Sequence, residues 1–188
     1  MAYADWNHYD SNSTHQIQQA TVSEGNAALQ IDHGDQIDGV KAEILSESVT
    51  DSPSEGRIET MGYADGTSAY LGFHSRFVDT DNFYFALVWP YTDETIFGYF
   101  EGGNRTYDRL DNSETLSELT WHELRYDIWE DSGSVWQRVS YHDGADWVML
   151  SEKSDSVYHN GGGGMGVGAK PWADGAATQY FDDTMVYY

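Results

Sequence analysis

Residues Leu71–Pro90 read LGFHSRFVDTDNFYFALVWP, two apolar runs on either side of Asp79-Thr80-Asp81-Asn82. In the first run Leu71, Phe73, Ser75 and Phe77 fall on one face of an extended chain, and Gly72, His74, Arg76 and Val78 on the other. In the second, Phe83, Phe85, Leu87 and Trp89 alternate with Tyr84, Ala86 and Val88. A period of two in aromatic and β-branched residues, broken by Asp and Asn, predicts an antiparallel hairpin. Both faces of the pair are apolar, so both need cover. The hairpin belongs at the centre of a larger antiparallel assembly.

Short strand-like runs extend in both directions from it. Upstream are Ile17–Val22, Ala27–Asp32, Gly39–Ser46 and Arg57–Tyr63, separated by turn residues such as His33-Gly34-Asp35 and Asp65-Gly66. Downstream, Thr95–Phe100 and Arg105–Leu110 flank Glu101-Gly102-Gly103-Asn104, and Trp121–Trp129, Val135–Tyr141 and Trp147–Ser151 are joined by Asp/Gly turns. Met165–Lys170, after the glycine run Gly161–Gly164, and Thr178–Tyr188 close the chain. About twelve or thirteen short strands with no convincing helix predict an all-β, two-sheet antiparallel jelly-roll sandwich. The length suits one domain, placed at residues 17–188. Residues 1–16 are polar and aperiodic. They read as an N-terminal arm whose Tyr3, Trp6 and Tyr9 suit docking to a larger assembly.

The chain has 32 acidic and 9 basic residues, a formal net charge of −23, and no cysteine. Only Lys41, Lys153 and Lys170 are lysines. Such a charge repels itself in dilute buffer, and the abundant aromatics argue for a folded chain all the same. A protein of a very salty interior or medium, where counter-ions screen the carboxylates, is the expectation. Without an Arg/Lys cluster to neutralise phosphates, nucleic acid is excluded as a partner. No stretch has the length and apolarity of a membrane span, so no membrane insertion is expected. Met1–Tyr9 shows no basic or apolar leader pattern, which predicts folding in the cytoplasm where the chain is made.

Three segments resemble the laminin-G-like branch of the concanavalin A-like lectin/glucanase jelly rolls. They are Gly72–Phe77 with Asp79–Phe85, Trp121–Tyr126 running on to Tyr141–Trp147, and Gly164–Gly168 followed by Phe181–Val186. The resemblance covers about residues 61–188. It implies a surface-recognition fold that hosts lectins, glycan hydrolases and plain structural domains alike. It also implies a structural Ca2+ held by a carboxylate near the last strand, which would come from Asp182 or Asp183. The alternative for these two acids is a hydrogen-bonded β-bulge. Phe181 and Val186 cannot share a face of a regular strand, so burying both requires such a bulge.

A retaining hydrolase of this fold needs two carboxylates about 5 Å apart. The glucanase members resemble one another in an E-x-D-x-x-E run. The acids of Glu123-Leu124-Arg125-Tyr126-Asp127-Ile128-Trp129-Glu130 do not have that spacing. Glu123, Arg125, Asp127 and Trp129 share one strand face, a solvated or groove-lining edge. No serine elbow and no paired-histidine spacing is present, and the expectation is a protein that is not an enzyme. Gly161–Gly164 lacks the Lys-Ser/Thr of a phosphate loop and reads as a flexible rim.

Sugar recognition needs exposed rings beside carboxylates and amides. Trp129, Trp136, Trp147, Trp172 and Tyr107 are the candidates, with Trp172 and its neighbour Asp174 in a loop the first choice and Trp129 and Tyr107 next. The function expected is a non-enzymatic binding or structural module. Specifically, it is an exposed virion component from a virus of a halophilic host, attached through the arm and contacting host-surface glycan, with self-association as a further expectation. The alternatives are a cell-encoded, extracellular carbohydrate-binding protein of a halophile, and a glycan hydrolase with an unrecognised carboxylate site.

Overall fold

A computed structural model describes residues 6–9, 13–18, 28–33, 42–45, 55–156, 163–169 and 176–187. Among them run fourteen strands: β1 Trp6–Tyr9, β2 Ser13–Gln18, β3 Ala28–His33, β4 Ala42–Leu45, β5 Gly56–Asp65, β6 Leu71–Asp79 and β7 Asn82–Trp89, then β8 Glu94–Glu101, β9 Asn104–Asp111, β10 His122–Asp131, β11 Ser134–His142, β12 Trp147–Asp155, β13 Gly164–Gly168 and β14 Ala177–Tyr187. They form two seven-stranded sheets, ordered β1-β4-β13-β6-β7-β8-β9 and β12-β11-β10-β5-β14-β3-β2. Every pairing is antiparallel. This is the all-β jelly-roll sandwich expected from the alternating runs. No helix among the described residues is long and apolar enough to cross a membrane.

The quoted hairpin is β6–β7, in the middle of the first sheet. Tyr84, Ala86 and Val88 face the second sheet and join Phe73, Phe97, Ile58, Leu124, Tyr126 and Phe181 in the inter-sheet core. Phe83, Phe85 and Leu87 point the other way into a second buried cluster with Tyr70 and Ile96. Each fully buried ring of this kind contributes about 1.5–3 kcal/mol. At the tip, Asp79 Oδ1 accepts from the Asp81 backbone N–H at 2.9 Å and from Asn82 Nδ2 at 2.8 Å, so the turn acids cap the hairpin.

One detail of the phase differs from the simple alternation. Phe77 packs with Phe83 in the second cluster, not with Phe73. The β6–β7 register breaks between Ser75 and Asp79, and Arg76 sits there with φ 47°. A left-handed residue turns the strand by one position and moves everything after it to the opposite face. Gly163 lies against this irregularity. A Cβ there would collide with the Arg76–Phe77 peptide, so the described end of the glycine run is packed on a strand and is not a loose rim.

Two described stretches of residues 1–16 are strands. Within them, Trp6–Tyr9 pairs with β4, and Ser13–Gln18, which overlaps the segment's end, pairs with β3. Both are edge strands. An edge strand is held by main-chain hydrogen bonds along one side and needs no apolar period of two, which is why Ser13-Thr14-His15-Gln16 carries no strand signal.

Candidate functional site

Strand β10 decides the site. Leu124, Tyr126 and Ile128 enter the core, which turns Glu123, Arg125, Asp127 and Trp129 outward together. Its neighbours repeat the pattern. Ile58 and Thr60 of β5 are buried while Arg57 and Glu59 face out, and Val135, Gln137 and Val139 of β11 are buried between Trp136 and Arg138. Across the sheet, Trp136 stands opposite Trp129, and Arg138 opposite Asp127, which in turn faces Arg57 and then Tyr187 of β14.

Arg57, Glu59, Asp127, Trp129, Arg138 and Tyr187 line an open depression of ≈ 810 Å3 on the outer face of the second sheet. The floor is an ordered ladder of charge. Arg57 Nε donates to Asp127 Oδ1 at 2.6 Å, Arg138 Nε to Glu152 Oε2 at 2.7 Å, and Arg125 Nε to Glu59 Oε1 at 2.8 Å. The Trp129 and Trp136 rings stack at 5.9 Å and 14°, and the Arg138 guanidinium lies 5.0 Å from the Trp129 centroid. Arg125 covers Trp147 at 3.9 Å in the same way. Cross-strand ring and cation–π contacts hold each side chain to one orientation. The floor is therefore preformed.

Beneath it, a buried polar chain fixes the inner faces of the same strands. Ser75 Oγ and the Tyr126 hydroxyl are 2.7 Å apart, and Tyr126 donates to Gln137 Oε1 at 2.9 Å. Burial pushes the Tyr126 hydroxyl well above its ordinary pKa, against a smaller lowering by Ser75, so it stays a donor. Arg76, 1% exposed, reaches across from β6 to Glu130 of β10 at 2.7 Å. The two sheets are thereby tied together near the end of the strand that presents Trp129.

Of the residues expected to bind ligand, Trp129 lines this groove. Tyr107 does not: it lies on β9, the far edge strand of the other sheet, with Arg105 5.0 Å over its ring. Trp172 and Asp174 lie outside the described residues. Trp147 is covered by Arg125, and Trp136 backs Trp129. Asp182 and Asp183 form the bulge inferred from Phe181 and Val186. The β14–β5 register shifts between Asp182 and Met185, Asp183 has φ 48°, and Phe181 and Val186 both pack on the core. Asp182 Oδ1 accepts from the Asp183 backbone N–H at 3.0 Å, while its carbonyl accepts from Thr60 Oγ1 at 3.0 Å. Among the described residues no cluster of three or more His, Asp or Glu side chains is arranged around a common metal position.

Arg57, Glu59, Arg138 and Tyr187 were not singled out from the sequence. The signal for Asp127 was its alternation with Leu124, Tyr126 and Ile128. The same alternation in Arg57-Ile58-Glu59-Thr60 would have put Arg57 and Glu59 on a solvent face. Nothing in the sequence says that β5 lies beside β10.

No known family profile matches the chain, and no curated protein does. Solved structures do. A carbohydrate-binding module, CBM66 from Bacillus subtilis, superposes with a TM-score of 0.63 at 19% identity over 98% of this chain and 96% of that one. The shared fold is a two-sheet antiparallel jelly-roll sandwich. An endo-β-1,4-glucuronan lyase from the fungus Trichoderma reesei matches at 0.62 and 11% identity, over 97% and 89% of the two chains. Arcelin-5, a lectin-like defence protein from Phaseolus vulgaris, matches at 0.52 and 11%, over 95% and 94%. A binding module, a lectin-like protein and a lyase thus share this sandwich, and the likeness carries the architecture alone.

Proposed function

We propose that this protein is a non-catalytic carbohydrate-binding module and that its sugar lies in the groove of the second sheet. The observation that carries the reading is the pair of partly exposed rings, Trp129 and Tyr187, beside an ordered set of guanidinium and carboxylate groups. A pyranose offers an apolar face and a rim of hydroxyls. A ring stacks on the first, and fixed donors and acceptors hold the second. The CBM66 module and the lectin-like arcelin on the same fold favour binding. Glu59 and Asp127 are each held by an arginine, which stabilises the charged carboxylate and disfavours the protonated form a general acid needs. That supports the non-catalytic reading.

The test is a high-salt glycan array, followed by calorimetry on the strongest hit. Truncation of a central aromatic anchor costs about 2 kcal/mol or more, roughly thirtyfold in affinity. Trp129→Ala should therefore lose at least that much with an unchanged circular dichroism spectrum. Full binding by Trp129→Ala, or release of reducing ends from the bound sugar, would overturn the reading.

We also propose a high-salt setting, which rests on the net charge of −23. The melting midpoint should climb steeply as NaCl rises toward ~1 M and above, where the Debye length falls to about 3 Å. A midpoint flat with salt would remove this part. The narrower expectation of attachment to a virion drew on an aromatic-bearing docking arm at residues 1–16. Strands β1 and β2 draw on that segment, so the groove, not the N-terminus, is where we place the partner.

A further inference from the structure

We infer that the groove is selective for an anionic saccharide, one bearing a carboxylate or a sulfate, read by Arg57 and Arg138. The inference rests on the groove being the sugar site, and it adds the class of sugar.

The first ground is where the few positive charges go. The chain has 9 Lys and Arg against 32 Asp and Glu. Three of the six arginines, Arg57, Arg125 and Arg138, stand on adjacent strands β5, β10 and β11 of one outer face, and two of them line the groove. Elsewhere a chain of this net charge repels an anion. A site for a neutral sugar would be furnished as well by amides and carboxylates, which the surface has in excess.

The second ground is how the guanidiniums are held. Arg57 is anchored through Nε to Asp127, and its side chain is 42% exposed. Arg138 is anchored through Nε and Nη2 to Glu152, and is 41% exposed. Each anchor takes one side of a planar five-donor fork and leaves further terminal N–H groups on two side chains that line the depression. Ion pairs this exposed contribute only about 0–1 kcal/mol to stability, so folding gains little from placing two of them here. A fork fixed by a carboxylate behind it, with N–H donors in front, is the arrangement that recognises a planar or tetrahedral oxyanion. Asp127 lies between the two forks, so an anion is admitted only where it touches guanidinium directly. Direct contacts of this kind are screened far less by salt than long-range attraction is. The selectivity therefore weakens with salt but is not abolished by it.

The experiment compares matched ligands on the full chain at the lowest salt where it stays folded by circular dichroism, and again at higher salt. The probes are uronate oligosaccharides with their carboxyl-reduced counterparts, sulfated oligosaccharides with their desulfated counterparts, and a single-stranded DNA of similar charge. The expected result is at least tenfold tighter binding of one acidic member over its neutral partner, with that ratio falling as salt rises. Arg57→Gln and Arg138→Gln should each collapse the ratio toward one. If either variant misfolds, Arg138→Lys, which keeps charge and loses the fork, should still lower the ratio at least threefold. Equal or tighter binding of the neutral members would overturn the anionic selectivity and leave the groove as a sugar site. Equal capture of DNA would overturn it in favour of general polyanion attraction. Failure of every saccharide to bind would overturn both readings.

Discussion

The β6–β7 and β10–β11 hairpins each alternate side chains across a strand pair, and differ in what lies outside them. In β6–β7 every residue from Leu71 to Phe77 and from Phe83 to Val88 is buried. In β10–β11 burial alternates, with Leu124, Tyr126 and Ile128 inside and Arg125, Asp127 and Trp129 partly open. The first hairpin has two dry faces and can hold position but present nothing. The second gives one face to the core and leaves the other open. Richness in aromatics points to the first; charged and aromatic side chains open to solvent belong to the second.

The largest contrast to test is in stability. Phe73→Ala removes a fully buried ring stacked on Tyr126 at 5.4 Å and should cost about 3–5 kcal/mol by urea denaturation in high salt. Trp129→Ala, on the half-open hairpin, should cost less than about 1.5 kcal/mol in the same assay. Similar losses would mean that the second hairpin's outer face is also structural.

Acid should strike the closed hairpin next. His74 is wholly buried, and burial lowers its pKa from 6.5 to about 4, opposed by a smaller contribution from the Ala169 backbone. The folded state holds the ring neutral, so its contribution is fully present above pH 6.5. As pH falls from about 6.5 to 4 the unfolded chain takes up a proton that the folded chain refuses. Stability should drop through that window by about 3 kcal/mol and level off below it. His74→Phe or His74→Leu, compared with the parent as a pH series, should flatten this part of the profile. An unchanged profile would show that the ring protonates in place.

The smallest effect is expected from the ladder. Asp127→Asn breaks the Arg57 pair but should change stability by only about 0.5–1 kcal/mol. A loss of several kcal/mol would make the ladder part of the scaffold instead of the surface.

Much of the fold was legible because a strand records its own burial. Leu71–Pro90 places the central hairpin, Glu123–Glu130 places Trp129 on one face with Glu123, Arg125 and Asp127, and the mismatch of Phe181 and Val186 calls for a bulge between them. Each of these is a local relation, fixed by the two-residue period of an extended chain. The phase slip at Arg76 escaped because it depends on Gly163, 87 positions away, packing against one peptide. The edge strands β1 and β2 escaped because main-chain pairing on one side leaves no mark on side-chain pattern.

The groove lay still further from reach. Arg57, Asp127, Arg138 and Tyr187 come from four strands, and their meeting depends on β5 lying between β10 and β14. Which strands are neighbours is settled by non-local pairing across the whole sheet, and the periodicity of any one segment is silent on it. The sequence alone determined an all-β sandwich, its central hairpin and the strand face that Trp129 shares with Glu123, Arg125 and Asp127. Only the tertiary structure decided which charges stand beside that ring, because sheet order, unlike strand phase, is a property of the complete chain.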